Sequence, residues 1–447
     1  MKAKYLSLVA LLFLSLTLSA QTLFEEAQAL QDKEKNYELN GYLRSTLFLG
    51  KMPERDLVDI KSGYGEFSLK LKVSKKSFGD AYAEVRYRRG LEFDKSISEL
   101  NLREAYVSTY IGPFDFRVGH QIVVWGRADG INPTDNLTPK NMLARSPDED
   151  DRREGNFLVR SFINLQPFRI ELIWVPFFRS SVIPTHLLPF PAGVTLDEPD
   201  FPDAGMKNGA IAAKVNLELA SFDGSVSYFN GHNPFPGINF SITDSNLPVP
   251  EMSIFLKSYR MHVFGADFST TVADSFGLRG EVAYKKPHRD YRSLAHIPNP
   301  ELHYVFGLDK ELSDNLNIIL QYIGKYVVDY TEEIPLPEIW PLPPEYLLEY
   351  ELVLKNRIIN SQKYEWSHSL SYRLGWNLLH ETLNLDLVGL VNFTSKEYLL
   401  KPKLAYDITD ALTFSLGGEL YSGPEDTLFD IIDTHLNSLF TELKISF

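Results

Sequence analysis

The chain has 447 residues, no cysteine, 44% hydrophobic and 13% aromatic content, and a net charge of −14. That length suits two or three soluble domains or one large barrel. The missing cysteines exclude a disulfide framework and a thiolate metal site, and the acidic balance argues against a nucleic-acid partner.

Lys2 and Lys4 precede an apolar run from Leu6 to Leu18, and Ser19-Ala20 offers a small-residue cleavage site. Residues 1–20 therefore read as a secretory signal peptide, since the run is shorter than the roughly 20 residues a bilayer span needs. Residues 21–36 read as a polar leader.

From Tyr37 the texture becomes alternation. Tyr37, Leu39, Leu43, Leu47 and Leu49 share one parity, while Glu38, Asn40, Arg44 and Thr46 take the other. Phe67, Leu69, Leu71 and Val73 alternate with Glu66, Ser68, Lys70 and Lys72, and the pattern recurs to the C-terminus. About 18 segments (16–18) of roughly 8 to 15 residues result, the length and texture of tilted spanning strands. Short connections carry turn residues, as at Gly112-Pro113, Gln166-Pro167 and Thr409-Asp410. Long ones fall near 126–154, 177–207, 230–256, 287–301 and 330–362, with shorter outer loops expected at 50–62 and 89–97. An even strand count returns the chain to its starting side.

Strands with one apolar face must close on themselves in lipid, where every backbone polar group needs a partner within the sheet. The expected fold is all-β: a transmembrane antiparallel β-barrel over 37–447, with short periplasmic turns and long outer loops. A secreted sandwich or solenoid is the rival, and the absence of a fixed repeat counts against the solenoid. The terminal Phe447, preceded by Leu439, Leu443 and Ile445 on one face, resembles the signal that bacterial barrel-assembly machinery reads. The implied partners are outer-membrane lipid, that machinery, and a small-molecule or lipid-like cargo.

The polar parity names lumen-lining groups: Arg44, Lys70, Lys72, Arg86, Arg88, Arg103, Arg117 and Arg160. Their sign hints at anion preference in a pore. Cross-strand pairing with interior Glu is the equal alternative.

The stretch from Phe114 to Pro139 is the most informative. Phe114, Phe116, Val118, Ile122 and Val124 alternate with Asp115, Arg117 and Gln121, so a strand is expected to Val124. Trp125-Gly126 is expected to end it at interface height. Turn formers follow, and Arg127, Asp129, Asn132, Asp135 and Asn136 have the chemistry to bond one another and hold a compact fold. Arg145, Arg152 and Arg153 face Asp148, Glu149, Asp150 and Asp151, mixed charge suited to a constriction. The third outer loop, 126–154, is accordingly expected to fold inward and narrow the lumen, a solvated outer loop being the alternative. A calcium site at Asp129, Asn132 and Asp135 matches no EF-hand spacing and is not expected.

Gly119, Gln121, Trp125, Gly126, Asn132, Pro133 and Asp135 resemble the pattern of the domain-of-unknown-function 1302 outer-membrane barrels. Those chains place a Gly-x-Gln-x-x-x-Trp-Gly strand end before a loop with Asn-Pro-x-Asp. The alginate-export and phosphate-selective porin families look similar in this region. The resemblance implies a channel or transporter, with lipid-like or apolar compounds as one cargo class.

Two segments, Val175 to Val194 and Ile334 to Leu348, are apolar and rich in proline. They read either as a vestibule that captures hydrophobic molecules or as loops that pack on each other over the mouth. None of the ten His residues sits in a nucleophile, zinc or phosphate motif, and His120 reads as a strand residue, so neither an enzyme nor a cofactor is expected. The reading is an outer-membrane channel for small or hydrophobic molecules. An adhesin or assembly scaffold with a filled barrel is the alternative, and a barrel hydrolase comes last.

Overall fold

The computed structural model describes residues 36–52, 57–75, 78–185, 193–244, 251–273, 275–289, 291, 294–332 and 341–447. The expected signal peptide and all but the last residue of the leader lie outside them.

Twenty-one strands are described. The first seven are β1 (Tyr37–Lys51), β2 (Val58–Lys75), β3 (Gly79–Glu92), β4 (Lys95–Ile111), β5 (Phe114–Gln121), β6 (Asn156–Leu165) and β7 (Phe168–Val175). Then come β8 (Val194–Leu196), β9 (Ala210–Glu218), β10 (Phe222–His232), β11 (Gly237–Asp244), β12 (Glu251–Lys257), β13 (Arg260–Val272) and β14 (Phe276–Pro287). The last are β15 (Glu301–Ser313), β16 (Leu316–Val327), β17 (Trp366–Leu378), β18 (Leu383–Asn392), β19 (Glu397–Asp407), β20 (Leu412–Ser422) and β21 (Ser438–Ser446). Two helices, α1 (Pro344–Ile359) and α2 (Leu428–Leu436), stand outside the sheet.

Eighteen strands form one antiparallel sheet in sequence order, with β8, β11 and β12 set apart. The sheet closes where β1 meets β21, from Tyr42 opposite Ser446 to Leu49 opposite Leu439. Gly41 and Phe447 complete the seam with a reciprocal pair of backbone bonds at 2.9 and 3.0 Å. No edge is left in the barrel, so lipid meets only satisfied backbone.

Alternation decides the two surfaces. Leu43, Val107, Val226, Phe264 and Phe306 are exposed on the outer face. Arg44, Glu66, Glu84, Glu171, Asp267 and Glu281 are buried on the inner one. An apolar exterior and a polar interior are what a membrane barrel requires. Trp174, Tyr322 and Trp366 sit near the loop-bearing rim, and Phe168, Trp376 and Tyr406 near the short-turn rim. They form the two aromatic girdles.

The structure corrects four expectations. The connection at 89–97 is a tight hairpin, with only Phe93 and Asp94 between β3 and β4, both at positive φ. Strand β5 stops at Gln121, three residues early, and the chain leaves the wall there. A further outer excursion at 423–437 holds α2, whose last turn is capped by Lys61 Nζ at 2.6 and 2.8 Å from the carbonyls of Thr434 and Asn437. Cations at a helix C-terminus meet its unpaired carbonyls. Finally, Lys72 is not in the lumen proper. It lies at the short-turn rim, paired with Glu38 at 3.5 Å.

The outer loops build a cap. β11 pairs with β12, β12 runs parallel to β8, and α1 lays Leu348 and Leu352 onto Ile238 and Ile254. The described parts of the two proline-rich segments thus pack against other loops. Residues 186–192 and 334–340 of those segments lie outside the described residues.

Candidate functional site: the segment that crosses the lumen

The 122–155 segment departs from β5 into the barrel. A bulge in β4 prepares its exit, because Glu84 pairs with Glu104 and Val85 with Leu102, leaving Arg103 extra. Bulges re-aim side chains. Both Arg103 and Glu104 meet the segment as a result. Glu104 accepts the Ile122 N–H at 2.9 Å, and Arg103 donates to the carbonyls of Asp150, Asp151 and Arg153. Thr138 clips the base, accepting from Val123 N–H at 2.9 Å and donating to Val123 carbonyl at 2.6 Å.

Val123, Trp125 and Leu137 then bury inside the barrel against Leu158, Ile173, Phe229, Met261 and Val263. Trp125 is 3% exposed, so it anchors a lumen core and does not sit at interface height. Burying such a side chain is worth about 2–3 kcal/mol, which offsets part of the entropy lost in ordering the segment.

The first half is tied to the far wall. β17 lies nine strands from β5 in either direction around the barrel, diametrically opposite. Arg373 on β17 holds Asp129 at 3.3 Å. Gln321 on β16 exchanges two bonds with the Asp129 backbone, both at 2.8 Å. Glu281 on β14 is the principal anchor. One oxygen accepts the Arg127 and Ala128 N–H groups and the Asn132 amide at 3.1–3.3 Å, and the other accepts the Thr134 N–H at 2.7 Å and hydroxyl at 2.8 Å. Gly126, at φ +102°, makes the turn possible. A Cβ there would stand 2.4 Å from a Glu281 oxygen. Arg127 reaches Asp267 on β13 at 2.6 Å, and Asp267 also holds Lys214 at 3.0 Å.

The second half docks on the near wall. Asp151 sits between Arg44 and Arg86, 2.7 Å from each, and accepts the Ser146 hydroxyl at 2.6 Å. Burial pushes its carboxyl up, but the two guanidiniums hold it well below the usual carboxylate range. Arg145 is fully buried, 3.0 Å from Glu419 and 2.5 Å from the Ser438 hydroxyl, with its guanidinium over the Phe48 ring. Glu149 pairs with Arg152 and Lys401. Despite the burial that raises it, those cations bring its pKa down to about 2.

The sequence-predicted residues divide accordingly. Arg127 and Asp129 meet the wall. Asp135 pairs with Arg153 at 2.6 Å, and the Asn136 amide donates to the Pro133 carbonyl at 3.0 Å. Asp129, Asn132 and Asp135 therefore face three different partners and form no cation cage. Gln121, the last residue of β5, is buried and its amide donates to the Leu158 carbonyl of β6 at 3.1 Å. Among the lining cations, Arg88 pairs with Glu66 and Arg160 with Glu171, as the cross-strand alternative anticipates. Lys70 stands over Tyr42. Arg117 donates to Ser108 and lies over Tyr106. Of the arginines expected to face the acidic run 148–151, Arg152 pairs with Glu149 at 3.1 Å and Arg153 with Asp150 at 3.0 Å, whereas Arg145 and Asp151 are each taken by the wall. Sequence reasoning missed Glu281, Gln321, Asp267 and Arg373. Their inward parity was visible, but nothing in the sequence marks which inward residue will meet the segment.

Two chambers flank the crossing. On the short-turn side a cavity of about 320 Å³ is lined by Arg117, Arg160, Arg169, Lys214, Glu171 and Glu218. On the outer side one of about 310 Å³ lies beneath the end of α1, with Lys140, Lys285, Lys325, Asp135 and Glu301 in its wall.

No family model matches the chain, and no curated protein matches it. The kinship suggested around Trp125 and Asn132 therefore has no support from a family model. Solved structures do resemble it. Pseudomonas aeruginosa OpdQ superposes with a TM-score of 0.52 at 9% identity, covering 92% of this chain and 98% of that one. The outer membrane protein opdK of the same organism gives 0.52 at 8%, again over 92% and 98%. Acinetobacter baumannii OccAB3 gives 0.51 at 10%, over the same shares. At such identities the likeness is one of fold: this chain is a closed eighteen-strand antiparallel barrel of the kind those proteins form.

Proposed function

We propose that the chain is an outer-membrane channel for small polar solutes, with the 122–155 segment as its filter. The observation that carries this is the segment tied to the wall diametrically opposite its exit, with a cavity on each side. Arg127, Asp129, Asn132 and Asp135 frame the narrowed passage, and the buried Asn136, Arg145, Arg152 and Arg153 hold the segment in place behind them. The short-turn chamber favours anions. Among the described residues Arg117 and Arg169 have no carboxylate partner, whereas Glu171 is paired with Arg160. Polar cargo is better supported than hydrophobic cargo, because Leu348 and Leu352 of α1 are spent on the cap. Export to the outer membrane and kinship with the domain-of-unknown-function 1302 barrels belong to the same proposal.

A filled, non-conducting scaffold is the second reading, favoured by the apolar core around Trp125 inside the lumen. Planar-bilayer recording separates the two. The channel reading expects a small unitary conductance, a reversal potential favouring anions under a salt gradient, and a larger conductance in Arg127→Ala. Silence of both proteins would establish the scaffold.

A further inference from the structure

On the lipid-facing surface, just outside the aromatic girdle of the loop-bearing rim, cations gather. Arg260 and His262 open β13 on its outward parity. Lys286 pairs with His262 in register, and His288 and Arg289 continue beyond β14. The His262 and His288 rings stack with centroids 3.9 Å apart, and the His288 N–H donates to the Arg260 carbonyl at 2.9 Å. Among the described residues, Arg260 donates to the backbone carbonyls of Lys207 and Gly209. Lys286, His288 and Arg289 are exposed. Among the described residues, none of these groups pairs with a carboxylate, in a chain whose net charge is −14.

An apolar groove adjoins the patch. Leu172, Trp174, Ile211, Ala213 and Tyr228 line an outward-facing hollow of about 300 Å³ across β6, β7, β9 and β10. Ser161 and Ala213 are too small to fill it. Tyr228 joins the two features, with its hydroxyl 2.8 Å from His262 Nδ1 and its ring 5.1 Å from Phe264.

We propose that this is a lipid site: a phosphorylated headgroup of the outer leaflet sits on Lys286, His288 and Arg289 while an acyl chain lies in the groove. Height decides the chemistry. Groups just beyond an aromatic girdle sit at headgroup level, where unpaired cations attract lipid phosphate. The site depends on the barrel spanning a membrane and not on conduction through its lumen.

The test is retention of lipid A by the purified full-length barrel, titrated with phosphatidylethanolamine vesicles doped with lipid A and read by native mass spectrometry. Each cation removed is expected to weaken binding roughly fivefold, the equivalent of about 1 kcal/mol. Lys286→Gln with Arg289→Gln should lose about thirtyfold, while Lys95→Gln with Lys396→Gln, equal charge loss elsewhere on the rim, should lose little. Ala213→Leu should weaken retention through the groove alone. Equal retention by the Lys286/Arg289 variant would overturn the proposal, as would equal binding of dephosphorylated lipid A. So would full displacement by inorganic phosphate, which would make the patch a free-anion site.

Discussion

Replacing Glu281 by Gln is the sharpest perturbation of the crossing segment. The side chain keeps its size, but one carboxylate oxygen becomes an amide NH2. Five donors converge on this carboxylate, so one oriented donor must now face another. The least costly orientation turns the NH2 toward Thr134, whose hydroxyl can rotate to accept. The Thr134 N–H is then orphaned, at about 1–3 kcal/mol, and three remaining bonds lose their charge, at about 0.5–1 kcal/mol each. Relief of the buried charge returns part of this, leaving about 2–3 kcal/mol. The docked-to-undocked ratio of residues 126–134 should fall about 30- to 150-fold. Single-channel recording should show larger conductance steps and added open-state noise. Gly126→Ala attacks the same anchor from the other side and should behave alike, whereas Glu311→Gln, near the short-turn end of β15, should not. Conductance and noise unchanged in both Glu281→Gln and Gly126→Ala would refute the idea that this anchor holds the filter.

Arg145→Ala should destabilise the barrel by about 3 kcal/mol, toward the lower end for a buried pair because Lys401 and Arg152 still neighbour Glu419 at 3.5 and 3.9 Å. The heat-modifiability transition on a gel should move to lower temperature, and an unmoved transition would count against the pair. Asp151 makes docking of the second half pH-dependent. Its folded pKa is depressed, so its contribution is fully present above the ordinary aspartate range near 4 and is lost only as pH falls well below it. Conductance should therefore hold steady down to about pH 4 and rise in stronger acid. Asp151→Asn should show the raised level already at pH 7, and identical pH profiles would sink the claim. Deleting Phe447 removes both seam bonds to Gly41 and the ring stacked on Phe67 at 6.3 Å, so less folded barrel should appear in membranes at equal expression.

The fold was legible because lipid enforces one rule on every strand. Leu43 outward and Arg44 inward is a pattern of period two that a single chain repeats around the whole wall. All eighteen segments expected from alternation appear as barrel strands. The exceptions have physical causes. Inward apolar residues such as Leu158, Phe229 and Val263 break the alternation in the sequence. They make sense only once Trp125 fills the lumen beside them. α2 was invisible because its short apolar turn resembles the strand that follows it. The site was half legible. Turn formers and charges marked 126–154 as special, but Arg127 and Asp129 were expected to bond within the segment and instead meet the wall. Glu281 was not legible, since the donors it serves lie 147 to 154 residues away in the chain.

What orients the segment is a division of labour between its halves. Residues 127–134 present mainly N–H donors, and the wall they meet supplies acceptors in Glu281, Asp267 and the Gln321 carbonyl oxygen. Residues 149–153 present carboxylates and backbone carbonyls, and their wall supplies Arg44, Arg86, Arg103 and Lys401. Reversing the segment would set carboxylates against Glu281 and guanidiniums against Arg44. In a confined lumen such like-charge contacts cost several kcal/mol. The inward Arg and Glu residues therefore do more than neutralise one another across strands. Their uneven distribution around the wall selects a single docked arrangement, and on the channel reading it leaves Arg117 and Arg169, which pair with no carboxylate among the described residues, in the wall of the short-turn cavity beside Glu218.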